Sequence, residues 1–312
     1  MKIIESRIQA KSYIINLKAN RKTIGFVPTL GGLHKGHQYL IQKARAENDV
    51  TILSIFLNPM QFRQKQFSEY PSNLTQDKFV AAESSVDMLF CPTVLEMYPY
   101  VAKIEDFFNF QTTEFKSRHN DNFVIEARND NGIDNLVRVP ANLVNQLDGK
   151  LHPWSFDGSA TIVYKLCKFL QPHKAYFGEK DIQQLAILTK LIDSFFPIIK
   201  IVGVPTLRET DNLAFSSRNV LLSEKHRQAA LCVYSALKHG ENLIKEGEFN
   251  ASVVLEEIKA IIAKQPLVTV DYLDIVSKTL LKPVTNINDD VVLYVAFFIN
   301  AIRLTDTIIV RN

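Results

Sequence analysis

Apolar residues run almost without interruption through Thr23-Ile24-Gly25-Phe26-Val27, again through 50–56, and a third time through 86–91. Strands that are apolar on both faces are covered on both faces, which is the pattern of a parallel sheet with helices packed above and below it. The first run stops at Pro28. The glycine turn Thr29-Leu30-Gly31-Gly32 then leads into a segment with apolar residues at Leu33, Leu40 and Ala44, so strand, tight turn and helix follow one another. Helical stripes recur at Val163, Leu166 and Leu170 within 161–170, and at Leu185, Leu188 and Ile192 within 181–195. Ala175-Tyr176-Phe177 and 198–204 read as two further strands.

Beyond about residue 208 the pattern changes to two helices, 224–245 and 251–264, followed by strands near 268–276 and 291–298. The expected fold class is therefore α/β: a Rossmann-like, doubly wound parallel sheet over 1–207, and a smaller α+β domain over 208–312, joined at Pro205-Thr206-Leu207-Arg208. Residues 100–149 fit neither period. Their cluster Arg128-Asn129-Asp130-Asn131-Gly132 is turn chemistry, and the stretch reads as an insertion with a hairpin or lid.

Composition narrows the function classes. A chain of 312 residues has room for roughly two domains. A net charge of +3, with no block of Lys or Arg, is too slight a footprint for nucleic acid. Cys91, Cys167 and Cys232 lie far apart without a C-x-x-C pair, which points to a reducing compartment and not to zinc or disulfides. The charged start Met1-Lys2-Ile3-Ile4-Glu5-Ser6-Arg7 does not read as a signal peptide, and the longest apolar run, 291–299, is about half of a bilayer span. A cytoplasmic protein with no membrane partner is expected.

His34-Lys35-Gly36-His37 sets two imidazoles three residues apart at the start of a helix, where positions i and i+3 share a face. Gly36 removes the side chain between them, and a helix N-terminus offers N–H groups and a positive dipole end suited to phosphate. A zinc site would need the Glu of H-E-x-x-H or a nearby cysteine, and neither is present.

From this point the motifs resemble one family. Pro28-Thr29-Leu30-Gly31-Gly32-Leu33-His34-Lys35-Gly36-His37 is similar to the P-T-M-G-A-L-H-x-G-H of the pantothenate synthetase (pantoate–β-alanine ligase) family, within the H-x-G-H nucleotidyltransferases. Phe56-Leu57-Asn58-Pro59-Met60-Gln61-Phe62 looks like F-V-N-P-x-Q-F, and Glu96-Met97-Tyr98-Pro99 like E-M-Y-P. Tyr176-Phe177-Gly178-Glu179-Lys180-Asp181-Ile182-Gln183-Gln184 resembles Y-F-G-E-K-D-x-Q-Q. Val204-Pro205-Thr206-Leu207-Arg208-Glu209 and Leu213-Ala214-Phe215-Ser216-Ser217-Arg218-Asn219 complete the set with V-P-T-x-R-E and L-A-x-S-S-R-N.

The resemblance implies a two-step ligation. The pantoate carboxylate attacks the α-phosphate of ATP with release of pyrophosphate, and β-alanine then displaces AMP. It assigns catalysis to His34, His37, Lys180 and Arg218, and ATP contacts to these together with Pro28, Thr29, Leu30, Gly178, Asp181, Leu207, Ser216 and Ser217. Gln61, Gln184 and Asn58 would bind pantoate. Mg²⁺ would accompany the nucleotide, with Asp77 its expected ligand and Asp181 the other acid placed to reach it or its waters, and a smaller domain would cover the site of a homodimer. The residue types agree: Lys180 and Arg218 are fixed cations for phosphate, Ser216 and Ser217 are short donors, and neutral amides suit a hydroxyl-rich acid. The family's R-P-x-H-F-x-G-V reads here His152-Pro153-Trp154-Ser155-Phe156-Asp157-Gly158-Ser159, and the Arg of Y-P-R is Ser72. His152 or Trp154 is expected to take over the missing histidine's role, His152 with charge at slightly acidic pH. Two alternatives stay open at this point: a nucleotidyltransferase that stops after transferring AMP, and a degenerate paralogue that binds nucleotide without turnover.

Overall fold

The computed structural model describes residues 1–108, 121–129 and 132–311. Its first half is built on a six-stranded parallel sheet made of β1 (Lys2–Ile4), β2 (Ile24–Thr29), β3 (Val50–Ile55), β4 (Met88–Phe90), β7 (Lys174–Gly178) and β8 (Lys200–Val204). The strand order is β1-β4-β3-β2-β7-β8, so the chain winds outward from β2 in one direction and resumes on its other side with β7. This is the doubly wound α/β arrangement.

Period-2 alternation sorts the buried side chains onto two faces. Ile24 and Phe26 of β2, with Val50 and Ile52 of β3, enter a core shared with α1 (Arg7–Ala19), α4 (Pro153–Leu170) and α5 (Ile182–Phe195). Val27, Leu53 and Ile55 face the opposite core, closed by α2 (Lys35–Glu47) and α3 (Leu74–Glu83). An insertion hairpin, β5 (Val124–Arg128) with β6 (Asp134–Arg138), pairs antiparallel and lies against α4. Its Val137 and Val139 N–H groups donate to Thr161 Oγ1 and Asp157 Oδ1, both at 2.9 Å. The expected turn around Asp130 and Asn131, and the part of the insertion at 109–120, lie outside the described residues.

The last third is a separate α+β unit. The helices α6 (Glu224–Lys245) and α7 (Ala251–Ala263) pack on an antiparallel sheet of order β11-β10-β9, formed by β9 (Val268–Ser277), β10 (Val291–Ile299) and β11 (Ile302–Val310). Arg208, in the connection between the two sheets, holds this unit down. Its guanidinium donates two 2.8 Å bonds to Asp306 of β11, a 4% exposed carboxylate, and stacks on Tyr234 of α6 at 4.0 Å.

Several elements exceed the sequence expectation. The helix expected over 161–170 starts at Pro153, because proline suits a first turn whose N–H groups have no helical acceptor. Its first turns bury Asp157, Gly158 and Ser159, which carry no apolar signal. The helix α1 leaves Ile8 and Ile15 exposed, which blurs its stripe. No helix among the described residues is long and apolar enough to cross a membrane.

Candidate active site

In an open α/β sheet the crevice forms at the carboxyl ends of the strands where the strand order reverses. Here that point lies between β2 and β7, and a cleft of about 650 Å³ opens there. Pro28, Thr29 and Leu30 line it from the end of β2, Gly178, Lys180 and Asp181 from the end of β7, and Leu207, Ser216, Ser217 and Arg218 from the segment entering the second unit. Gln61 and Gln184 stand on its wall, as do His152, Trp154 and Ser155.

The turn that begins the site is built from glycine. Gly32 has φ +63, and a Cβ there would meet the Pro71 carbonyl oxygen at 2.7 Å, so only glycine fits. Asp77 of α3 holds this turn: its two carboxylate oxygens accept from Gly32 N–H at 2.9 Å and Leu33 N–H at 2.7 Å. Asp77 is 2% exposed, and its carboxylate lies behind the turn and not on the cleft wall. Tyr70 adds a hydroxyl 3.4 Å from both the Gly31 carbonyl oxygen and Ser217 Oγ, and Ser217 Oγ donates to the Gly32 carbonyl at 3.0 Å.

The two histidines cap the helix themselves. His34 is the N-cap of α2, and its Nδ1 accepts from Gly36 N–H at 3.1 Å; His37 Nδ1 accepts from His34 N–H at 3.3 Å. The rings stack 4.0 Å apart, with Phe215 5.8 Å from His34. Each Nδ1 is thus an acceptor, which assigns the proton of each neutral ring to Nε2. Burial lowers the pKa of His34 to about 4, helped by the Lys180 charge, and burial lowers that of His37 well below its ordinary value, helped by His34 and Lys180. Both rings are neutral N–H donors at physiological pH. The sequence expectation of free backbone N–H groups for phosphate changes accordingly: the side chains occupy two of them, and imidazole Nε2–H groups stand in their place.

Two cations face these donors across the cleft. Lys180 Nζ contacts Thr305 Oγ1 at 3.3 Å and Asp181 at 3.7 Å, while Thr307 Oγ1 donates to the Lys180 carbonyl at 2.9 Å, so β11 steadies the lysine from the second unit. Arg218 contacts the Arg303 carbonyl at 3.4 Å and has no carboxylate at ion-pair distance among the described residues. Its charge is available to an anion.

The amides divide. Gln61 and Gln184 face the cleft, whereas Asn58 is wholly buried behind Gln61 and is absent from the cleft wall, which corrects its expected contact with pantoate. Gln183, one residue before Gln184, instead secures the 141–149 segment, accepting from Gly149 N–H and donating to the Gln146 carbonyl. His152 lies on the wall, edge-on to Trp154 at 5.2 Å. Burial and the nearby Arg303 lower its pKa, which works against the charge expected of it at slightly acidic pH. Sequence reasoning missed Tyr70, Arg303 and Thr305. Arg303 is clamped by Asp148 and Asp271; the signal for it and Thr305 was their shared face on an alternating strand.

The sequence profile of the pantoate-beta-alanine ligase family matches residues 2–309. A pantothenate synthetase of Geobacillus sp. is 37% identical over 308 residues, 98% of each chain, and one of Caldicellulosiruptor saccharolyticus is 36% identical over 304 residues, 97% of each. The crystal structure of pantothenate synthetase from Thermus thermophilus superposes with a TM-score of 0.83 at 32% identity, covering 100% of both chains. A pantoate-beta-alanine ligase from Francisella tularensis, solved in complex with beta-gamma ATP and beta-alanine, gives 0.71 at 30% identity over 99% of this chain and 97% of that one. On full-length matches of sequence and of structure alike, the chain belongs to the pantoate-beta-alanine ligase family.

Proposed function

We propose that the cleft condenses pantoate and β-alanine to pantothenate with consumption of ATP, through a pantoyl adenylate. A pantoate carboxylate oxygen attacks the α-phosphorus and pyrophosphate departs with the bridging oxygen. The β-alanine nitrogen then attacks the acyl carbon, AMP leaves, and the amine gives up a proton as the amide forms. Phosphoryl transfer of this kind asks the protein for alignment and charge stabilisation more than for covalent help.

The observation that carries this reading is the stacked pair of neutral imidazoles opening on a cleft that also holds Lys180 and Arg218. The Nε2–H groups of His34 and His37 would hydrogen-bond phosphate oxygens without giving up their protons. Lys180 and Arg218 would neutralise charge as it moves toward the leaving pyrophosphate, with Ser216 and Ser217 as short donors beside them. Pro28, Thr29, Leu30, Gly178, Asp181 and Leu207 would shape the nucleotide pocket, and Gln61 and Gln184 would take the hydroxyl-rich acid.

Mg²⁺ enters this reading as the nucleotide's counterion. Among the described residues no three His, Cys, Asp or Glu side chains gather to hold an ion, and each Asp77 oxygen already accepts one backbone N–H. Asp181, exposed on the cleft wall, is the carboxylate through which the ion's waters would meet the protein. A cytoplasmic homodimer belongs to the same reading, and sedimentation would test the dimer.

The deciding experiment follows pyrophosphate release from ATP and pantoate with and without β-alanine. Pantoate-dependent release, and pantothenate formed only when β-alanine is added, are expected. Release that needs no pantoate would point to AMP transfer onto another acceptor, and tight ATP binding without any release would mark a catalytically silent protein.

A further inference from the structure

Asn58 does not touch the cleft, yet its amide is saturated. Its Oδ1 accepts from Tyr98 OH at 2.9 Å and from Met60 N–H at 3.4 Å; its Nδ2 donates to the Gly158 carbonyl at 3.0 Å and to Gln61 Oε1 at 3.0 Å. The Met60 N–H and the Gly158 carbonyl identify which end of this amide is oxygen, and the Tyr98 hydroxyl makes the shorter of the two bonds that hold that oxygen in place. The consequence reaches the cleft, because Gln61 must turn its own oxygen toward Asn58 and its NH₂ group away from it.

Behind Asn58 stands Tyr98, fully buried between Phe56 and Phe107. Burial holds its phenol well above its ordinary pKa, so the hydroxyl keeps its proton. Lys165 of α4, 6% exposed, places its ammonium 4.4 Å from the centre of the Tyr98 ring. That ammonium donates to the Met97 carbonyl at 2.7 Å and to Asp134 of the insertion hairpin at 2.5 Å. One buried path thus runs from the hairpin through Lys165, Tyr98 and Asn58 to Gln61. None of the hairpin's described residues lines the cleft, so its contribution is a buttress and not a lid.

We propose that Tyr98, backed by Lys165 and by Asp134 of the insertion, is a positioning residue for the acid-binding end of the cleft: it locks the Asn58 amide so that Gln61 presents an N–H donor to the oxygens of the substrate acid. The proposal rests on the reading that Gln61 contacts pantoate. A carboxylate or hydroxyl oxygen accepts from that NH₂, whereas a flipped Gln61 would meet it with a second oxygen. The hairpin's function on this account is specificity: it keeps one of two nearly isosteric amide orientations.

Tyr98→Phe removes one hydroxyl and nothing else. Without that donor the Asn58 amide loses its strongest oxygen partner, and the pantoate KM should rise about tenfold while the KM for ATP and kcat stay within about twofold. A merely structural role would move all three. In the double variant Tyr98→Phe/Gln61→Ala, the loss should equal that of Gln61→Ala alone, because the hydroxyl acts through Gln61. Asp134→Asn reads the same path from its other end if Tyr98→Phe does not fold, and should raise the pantoate KM selectively, by about twofold to threefold. The proposal is overturned if the folded variant leaves the pantoate KM unchanged, if the KM values for ATP and pantoate rise together, or if the two losses add. A Gln61→Ala protein with an unaltered pantoate KM would remove the underlying acid-site reading as well, whereas a Gln61→Ala effect without a Tyr98→Phe effect sinks the positioning path alone.

Discussion

Replacing Gly36 by alanine should separate the site from the fold. A Cβ at this position would stand 2.8 Å from His34 Cε1, 2.9 Å from His34 Nδ1 and 3.2 Å from Phe215 Cβ. The imidazole cannot simply slide aside, because His37 stacks on it at 4.0 Å and Phe215 at 5.8 Å. It must leave its place and give up the Gly36 N–H···Nδ1 bond. Losing such a cap costs about 1 kcal/mol. Alanine in place of glycine within a helix returns up to about 1 kcal/mol, so the two nearly cancel. Catalysis has no such offset: a displaced donor to developing charge costs about 2.7–4 kcal/mol, or 10²–10³ in rate. The expected protein melts within about 4 °C of the parent, since 1 kcal/mol moves the Tm of a chain this large by only a few degrees. Its pantoate-dependent pyrophosphate release should fall at least 10²-fold. On a His34→Ala background the same substitution should cost little more, because the ring it displaces is gone. Pyrophosphate release within about threefold of the parent, or losses that add in the double variant, would refute the argument that Gly36 exists to seat the imidazole.

The remaining predictions use the same rate assay with a stability measurement beside it. Lys180→Ala should abolish adenylate formation with a change in stability of about 0.5 kcal/mol or less, since among the described residues its ammonium contacts Thr305 and an aspartate at 3.7 Å; unchanged turnover would return it to the surface lysines. Because the pKa of His34 is lowered from 6.5 to about 4, the folded protein binds fewer protons than the unfolded chain between those values, so this contribution to stability is whole above pH 6.5 and is lost as pH falls toward 4. Denaturant melts should track that window, and kcat/KM for ATP should show no His34 ionisation near 6.5; an acid limb there that vanishes in His34→Gln would contradict it. Arg208→Ala strands the buried Asp306 carboxylate and should cost about 3–5 kcal/mol in urea unfolding, with Arg208→Lys only a partial rescue because the two-pronged geometry is lost; a cost below about 1 kcal/mol would refute the clamp. His152→Ala should slow pyrophosphate release through lost contact on the cleft wall, by the same factor at pH 6 and pH 8; a factor that grows toward pH 6 would restore the charged role.

Much of the fold was legible because its strands are buried on both faces. Residues 50–55 are all buried, and such a run reads the same whichever face each side chain takes. Legibility fails where burial does not require an apolar residue. In the opening turns of α4, Asp157 accepts the Val139 N–H, Gly158 lets the Met60 backbone approach and its carbonyl accepts from Asn58, and Ser159 donates to the Phe156 carbonyl, all matters of polar pairing and close approach. The strand β11 (Ile302–Val310) lies beyond the last strand expected from the sequence. Its alternation carries more: Arg303, Thr305 and Thr307 turn toward the cleft and Lys180, while Leu304 and Asp306 turn into the second unit and to Arg208.

The site shows the same division between what spacing reveals and what direction decides. His34 and His37 were legible as a pair from their i, i+3 separation, but which nitrogen faces the ligand follows from the backbone N–H groups that claim Nδ1. That choice changes the chemistry the helix start offers, from bare backbone N–H groups to neutral imidazole donors. Gln183 and Gln184 are adjacent and identical in type, yet successive helical positions are about 100° apart, so one secures a neighbouring segment and the other faces the cleft. Asp77 is the clearest instance. A carboxylate near a nucleotide motif is expected at a metal, and what spacing does not show is that the turn 44 and 45 residues before it presents two N–H groups to its two oxygens. A buried carboxylate needs such donors, and here each oxygen takes one N–H and keeps a lone pair beyond it. Asp77 therefore holds the glycine turn from which His34 and His37 are presented.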